Sequence, residues 1–127
     1  MHKKPLISII TVCFNSARLL QRTIKSVRNQ TYTEIEYIVI DGASKDNTLQ
    51  LIKENQDIID LWRSEPDSGL YFAMNKGLDL ASGDYVIFIN AGDMFYSHDT
   101  LEKIFLHQEE YADIYYGNTM ILAENLK

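Results

Sequence analysis

Short continuous apolar runs alternate along the chain with longer stretches in which apolar residues recur every three or four positions. Residues 6–12 (LISIITV) form an unbroken, β-branched run, the pattern of a parallel strand covered on both faces. Asn15 and Ser16 are residues able to cap a helix, and the spacing predicts one through about residue 29. In it Leu20, Ile24 and Val27 share one face, while Arg18, Arg22, Lys25 and Arg28 take others. A second strand is predicted over 35–40. Asp46 or Asn47 then caps a short helix carrying Leu49, Leu51 and Ile52, and a weaker strand follows over 59–63. Beyond the loop 64–69 come a helix over 70–81, a strand over 85–89, a loop over 90–93, a helix over 100–108 and a fifth strand over 115–122. The order βαβαβαβαβ predicts an α/β fold with a mostly parallel sheet and helices on both faces.

In open parallel sheets, ligands bind beyond the carboxyl ends of the strands. The predicted order sets Asn15 after the first strand, Asp41 after the second, Glu65 and Asp67 after the third, and Asp93 after the fourth. Four successive strands thus deliver an amide or a carboxylate to one edge of the sheet.

Composition narrows what that edge can do. The 127 residues suit one domain, 1–127, with no internal repeat or linker. A formal net charge of −6 argues against nucleic acid as a partner, because displacing counterions needs a basic surface. It leaves phosphorylated ligands open, since helix N-termini and a divalent cation neutralise phosphate without basic side chains. Cys13 is the single cysteine, so an internal disulfide is excluded and a reducing compartment is expected. No apolar run reaches the roughly 20 residues that span a bilayer. Lys3 and Lys4 ahead of an apolar stretch imitate a secretory signal, but Asn15 and Arg18 interrupt it and it reads as a buried strand. His2, His98 and His107 are scattered and form no metal constellation. No Gly-x-Gly-x-x-Gly or P-loop pattern occurs, which counts against dinucleotide oxidoreductases and P-loop enzymes.

Three segments carry candidate chemistry, each with a plainer alternative. In Asp41-Gly42-Ala43-Ser44-Lys45-Asp46, Asp41 can accept hydrogen bonds from a base or ribose, and Ser44 can bond a phosphate. The same residues also make an ordinary capped βα loop. Asn90-Ala91-Gly92-Asp93 supplies hard oxygen ligands at a strand end, although an Asn-Gly-Asp turn has the same composition. Within the helix predicted over 70–81, Asn75 and Lys76 precede Gly77, where glycine costs about 1 kcal/mol relative to alanine and points to close packing or ligand approach.

Taken in order, the segments 9–15, 26–32, 41–48, 75–77, and 81–85 leading into 90–93 resemble the family 2 glycosyltransferases of the GT-A fold over essentially the whole chain. The stretch 65–71 with 73–77 resembles the branch found in bacterial surface-polysaccharide clusters. The resemblance implies a Rossmann-like GT-A domain. It also implies an inverting, hexosyltransferase-type enzyme of polysaccharide biosynthesis, moving sugar from a nucleoside-diphosphate donor to a saccharide or lipid-linked acceptor. It sets Thr11, Phe14 and Asn15 in the nucleotide pocket and Asp41, Gly42 and Ser44 near the base or ribose. Asp67, Gly69, Asn75 and Lys76 fall near the donor, and Asn90 and Asp93 lie in the metal-binding region, with Asp93 as ligand of a Mg²⁺ or Mn²⁺ bridging the diphosphate. Work in the cytoplasm, with peripheral association at the inner face of the membrane, is the matching expectation.

The chain departs from the family pattern at several places. Gly42 replaces a second acid common in the first loop, Asn90-Ala91-Gly92-Asp93 replaces a more acidic motif, and Phe72 stands where the polysaccharide branch often has Asp. The family domain continues for roughly another hundred residues, a small domain's worth. The reading is therefore of a C-terminally truncated fold lacking the acceptor-binding part, with the general base beyond Lys127. Its alternative is a non-catalytic nucleotide-sugar-binding or assembly module. A phospho-acceptor receiver fits the length but lacks the acidic pair after its first strand, where Cys13-Phe14-Asn15 stands. A flavodoxin-like flavin binder lacks its Ser/Thr-rich loop there.

Overall fold

In the computed structural model, residues 4–105 are described. The first strand, β1 (Ile7–Cys13), is buried along almost its whole length, because alternate residues enter two different cores. Ile7 and Ile9 pack with Leu20, Ile24 and Val27 of helix α1 (Ala17–Arg28), with Ile52 of α2 (Thr48–Glu54), and with Leu101 and Phe105 of α4 (Thr100–Phe105). Ile10 turns to the other face, where it meets Ile38 and Ile40 of β2 (Ile35–Asp41) and Ala73 of α3 (Leu70–Leu80). Burying each of these large aliphatic side chains contributes roughly 1.5–3 kcal/mol, so covering both faces is the main stabilising feature.

With β3 (Leu61–Ser64) and β4 (Tyr85–Phe88) the sheet has the order β3-β2-β1-β4, all parallel. The chain walks outward from β1 to β3, then returns to the opposite side of β1 with β4. The predicted α/β class, with helices on both faces, is what the structure shows. Gly77 lets α3 lie close: a Cβ there would sit 2.5 Å from Ile10 Cγ2, so the glycine in this helix is a packing residue against β1.

Boundaries shift where long-range contacts override local signals. The predicted strand 59–63 begins two residues later, because Ile59 belongs to the turn after α2, with its N–H on Asn55 O, and is itself core. Ser16 sits at the N-cap of α1 without a side-chain capping bond. The first N–H groups of that helix are served from the α2 side instead, Ser16 N–H by Thr48 Oγ1 (3.1 Å) and Ala17 N–H by Asp46 Oδ2 (3.4 Å). The predicted fifth strand over 115–122 and the end of the helix predicted over 100–108 lie outside the described residues. No described helix is long and apolar enough to cross a membrane.

Candidate functional site

Register brings the strand ends abreast: Cys13 pairs with Asp41, and Asp41 with Ser64. The chain continues hydrogen-bonded to β1 past the end of β4, with Ile89 N–H on Ile10 O (2.9 Å) and Ala91 N–H on Val12 O (3.1 Å). Segments 14–16, 42–48, 65–69 and 90–93 therefore leave the sheet at one edge. Asn15, Asp41, Asp67 and Asp93 come to a common rim, as their positions after successive strands predicted.

Their side chains do not all face outward. Asp41 is fully buried, and both carboxylate oxygens are occupied. Oδ2 accepts from Ser44 N–H (2.9 Å) and Ser64 Oγ (2.8 Å), and Oδ1 from the Ser44 hydroxyl and, at 3.5 Å, the Cys13 thiol. The Ser44 hydroxyl also accepts from Asn15 N–H (2.7 Å), while Asn15 Oδ1 accepts from Lys45 N–H (2.8 Å). Asn15 holds a left-handed φ of 45°, a conformation in which asparagine is enriched among non-glycine residues. The expected base- or ribose-contacting Asp41 and phosphate-contacting Ser44 are thus engaged in a buried nest that ties three strand ends together. Thr11 corrects a further expectation. It is fully buried, its hydroxyl bonds Ile89 O (2.6 Å) and the Tyr37 hydroxyl (2.8 Å), and it lies in the core rather than in a pocket. Burial, with Asp41 beside it, pushes the Cys13 thiol far above its ordinary range, so it is no nucleophile at neutral pH.

What remains open is a cleft of about 440 Å³ lined by Val12, Cys13, Phe14, Ser16, Asp67, Gly69, Leu70, Ala73 and Ala91. Phe14 is 61% exposed and offers an aromatic face at its mouth. Asp67 accepts Gly69 N–H on Oδ1 (3.1 Å), and its Oδ2 receives no hydrogen bond among the described residues. Lys76 bonds Glu65 (3.1 Å) and Pro66 O (3.4 Å), bracing the loop that carries Asp67, and Asn75 is exposed on α3. Asn90 Oδ1 faces Val12 N–H at 3.4 Å. Asp93 is exposed, with no partner to its carboxylate among the described residues, while its backbone is held by the Thr23 hydroxyl on Asp93 O (2.7 Å).

Among the described residues no group of three or more His, Cys, Asp or Glu could hold a metal ion. Asp93 alone fits only a cation that draws most of its oxygens from a bound diphosphate and water, as Mg²⁺ does. The apolar walls Val12, Leu70, Ala73 and Ala91 and the brace Ser64 were not among the residues selected from sequence. Their position at strand ends and at the start of α3 was the available signal. A second depression of about 410 Å³, between α1 and residues 94–98, contains none of the selected residues.

A parallel sheet flanked by helices, with this rim at its carboxyl edge, has the GT-A glycosyltransferase fold. The chain belongs to glycosyl transferase family 2, whose family model matches residues 8–124. An uncharacterized glycosyltransferase of Mycobacterium tuberculosis is 44% identical over 104 residues, covering 81% of this chain and 40% of the relative. The mannosyltransferase PcManGT from Pyrobaculum calidifontis, solved in complex with GDP-Man and Mn²⁺, superposes with a TM-score of 0.73 at 25% identity over 84% of this chain and 34% of that one. S. aureus TarS 1-349 in complex with UDP-GlcNAc gives 0.72 at 25% identity, over 77% of this chain and 29% of the other. The chain thus spans less than half the length of these relatives.

Proposed function

We propose that this chain is the donor-binding half of an inverting, hexosyltransferase-type enzyme that moves sugar from a nucleoside-diphosphate donor to an acceptor hydroxyl during surface-polysaccharide assembly. One observation carries the reading: the carboxyl edge keeps a cleft with an exposed aromatic face at Phe14, and carboxylates at Asp67 and Asp93 that no donor among the described residues saturates. The base lies on Phe14, since aromatic faces stack bases. The sugar-diphosphate passes between the start of α3 at Gly69 and the turn ending at Asp93. Lys76 keeps the 65–69 loop in place through Glu65 and Pro66.

Asp93 is the residue that would hold a divalent cation. When bound, that ion supplies neutralising charge to the departing diphosphate. Attack by the acceptor oxygen on the anomeric carbon from the face opposite the diphosphate gives inversion. The base that takes its proton is assigned to none of residues 4–105. A saccharide or lipid-linked acceptor at the cytoplasmic face of the membrane completes the reading.

Calorimetric titration with nucleoside diphosphates, with and without Mn²⁺, tests the binding half. We expect micromolar-range affinity that Mn²⁺ strengthens, and D93A should remove the Mn²⁺ increment while retaining the metal-free affinity. Absence of binding by every nucleotide would overturn the proposal. Release of nucleoside diphosphate from donor sugar on adding acceptor separates an enzyme from a non-catalytic binding module.

A further inference from the structure

Among the described residues, the carboxylate beside the Phe14 ring comes from the loop after β3 rather than from Asp41. A Cβ built on Gly42 would lie 3.1 Å from Asp67 Oδ2 and 3.3 Å from Phe14 Cδ1. The Asp67 carboxylate, the Phe14 ring and the Gly42 backbone thus share one corner, and Asp67 fills the space that a side chain at position 42 would occupy. Asp41, the neighbouring acid on β2, cannot serve, because it is fully buried with both oxygens satisfied.

We infer that Asp67, working across the gap left by Gly42, selects the nucleobase, and that it selects a uracil-type lactam over guanine. This rests on the nucleotide-binding reading above and adds the base class and the residue that chooses it. Oδ1 is turned to Gly69 N–H, while Oδ2, beside Gly42 and the Phe14 ring, receives no hydrogen bond among the described residues. A heterocycle stacked on Phe14 with one N–H between two carbonyls, as in uracil or thymine, satisfies that oxygen with one hydrogen bond. Guanine offers two adjacent N–H groups and needs two acceptors side by side, so one donor would stay unpaired. Adenine and cytosine carry no lactam N–H at the matching edge.

The test measures affinity of the 127-residue chain for UDP, dTDP, GDP, CDP and ADP. Wild type should bind UDP and dTDP at least about tenfold more tightly than the others, the size of one hydrogen bond to a charged acceptor. D67A should lose that preference while still binding nucleoside diphosphates through stacking and phosphate contacts. In the double variant G42D/D67A the truncation clears room at position 42, and a carboxylate returned from the opposite side should restore the preference for UDP. Because Gly42 has no positive φ, the replacement is free of backbone strain. A wild-type preference for GDP, or a base order unchanged in D67A, overturns the inference and leaves the nucleotide-binding reading standing. Failure of wild type to bind any nucleotide overturns both. Circular dichroism and thermal melts of each variant keep a folding defect from passing as a loss of preference.

Discussion

At the amino edge of the sheet Glu36 accepts hydrogen bonds from the Ser8 hydroxyl (2.8 Å), Ser82 N–H (2.8 Å) and the Ser82 hydroxyl (2.7 Å), and Asp84 accepts Leu6 N–H (2.8 Å). At the carboxyl edge Asp41 gathers Ser44 and Ser64 in the same manner. Both edges use a carboxylate with serine donors to fasten neighbouring loops to the strands. They differ in what is left over. Gly83 closes the amino edge so tightly that a Cβ there would meet Ser8 N at 2.7 Å and Leu6 O at 2.8 Å. The carboxyl edge keeps an open cleft, an exposed ring at Phe14, and oxygens on Asp67 and Asp93 with no donor among the described residues. A network of acids and serines therefore does not by itself mark a binding site; acceptors left open beside free volume do.

The strongest way to break this contrast is D41A. It leaves Ser44 N–H and the Ser44 and Ser64 hydroxyls without their buried acceptor, a destabilisation of about 3 kcal/mol at about 1 kcal/mol per stranded donor. Urea denaturation reads that loss. Nucleotide affinity of the folded protein should fall as well, since the same nest fixes Asn15 and so the Phe14 turn. A variant that melts early yet binds normally would show that the nest does not position the cleft. G83V probes the other edge. Its branched side chain must displace the backbone of Leu6 and Ser8, an overpacking effect of about 2 kcal/mol in the same denaturation experiment. Nucleotide affinity of the folded fraction should stay at the wild-type value. Weakened binding in G83V would mean that the two edges are mechanically coupled.

The chain order made the contrast partly readable in advance. The continuous run of β1 announced a strand covered on both faces, and polar residues after successive strands located the rim, because both follow from local pattern and connectivity. The direction in which each carboxylate turns was hidden. Asp41 faces inward because Ser64, 23 residues on, and Cys13, 28 residues back, come beside it only once three strands are in register. Thr11 is withdrawn from the pocket by Tyr37, 26 residues away, for the same reason. The pairing of Gly42 with Asp67 depends on the path of the loop between β3 and α3, which no periodicity encodes. The late start of β3 traces to a turn after α2 that absorbs Ile59.

The smallest expected effect is acid sensitivity, and it sharpens the comparison because each edge contributes to it. Burial works against the Glu36 carboxylate, but hydrogen bonds from Ser82 and Ser8 outweigh it and hold the group below the usual glutamate range. On the carboxyl edge, hydrogen bonds from the Thr48 side chain and N–H, aided by Ala17 N–H, hold Asp46 below the usual aspartate range. A carboxylate whose folded pKa is depressed adds stability that is complete above its unfolded value and is lost as pH falls through the folded one. Melting temperature should therefore be flat near neutral pH and decline below about pH 4, the ordinary carboxylate range. Asp57, paired with Arg28, and Asp99, bonded by Ser97, add to the same slope. E36Q and D46N should each flatten the decline, and only D46N, whose loop holds the start of α1 beside the cleft, should also weaken nucleotide binding. Equal binding losses in the two variants would erase the distinction between a closed edge and a receptive one.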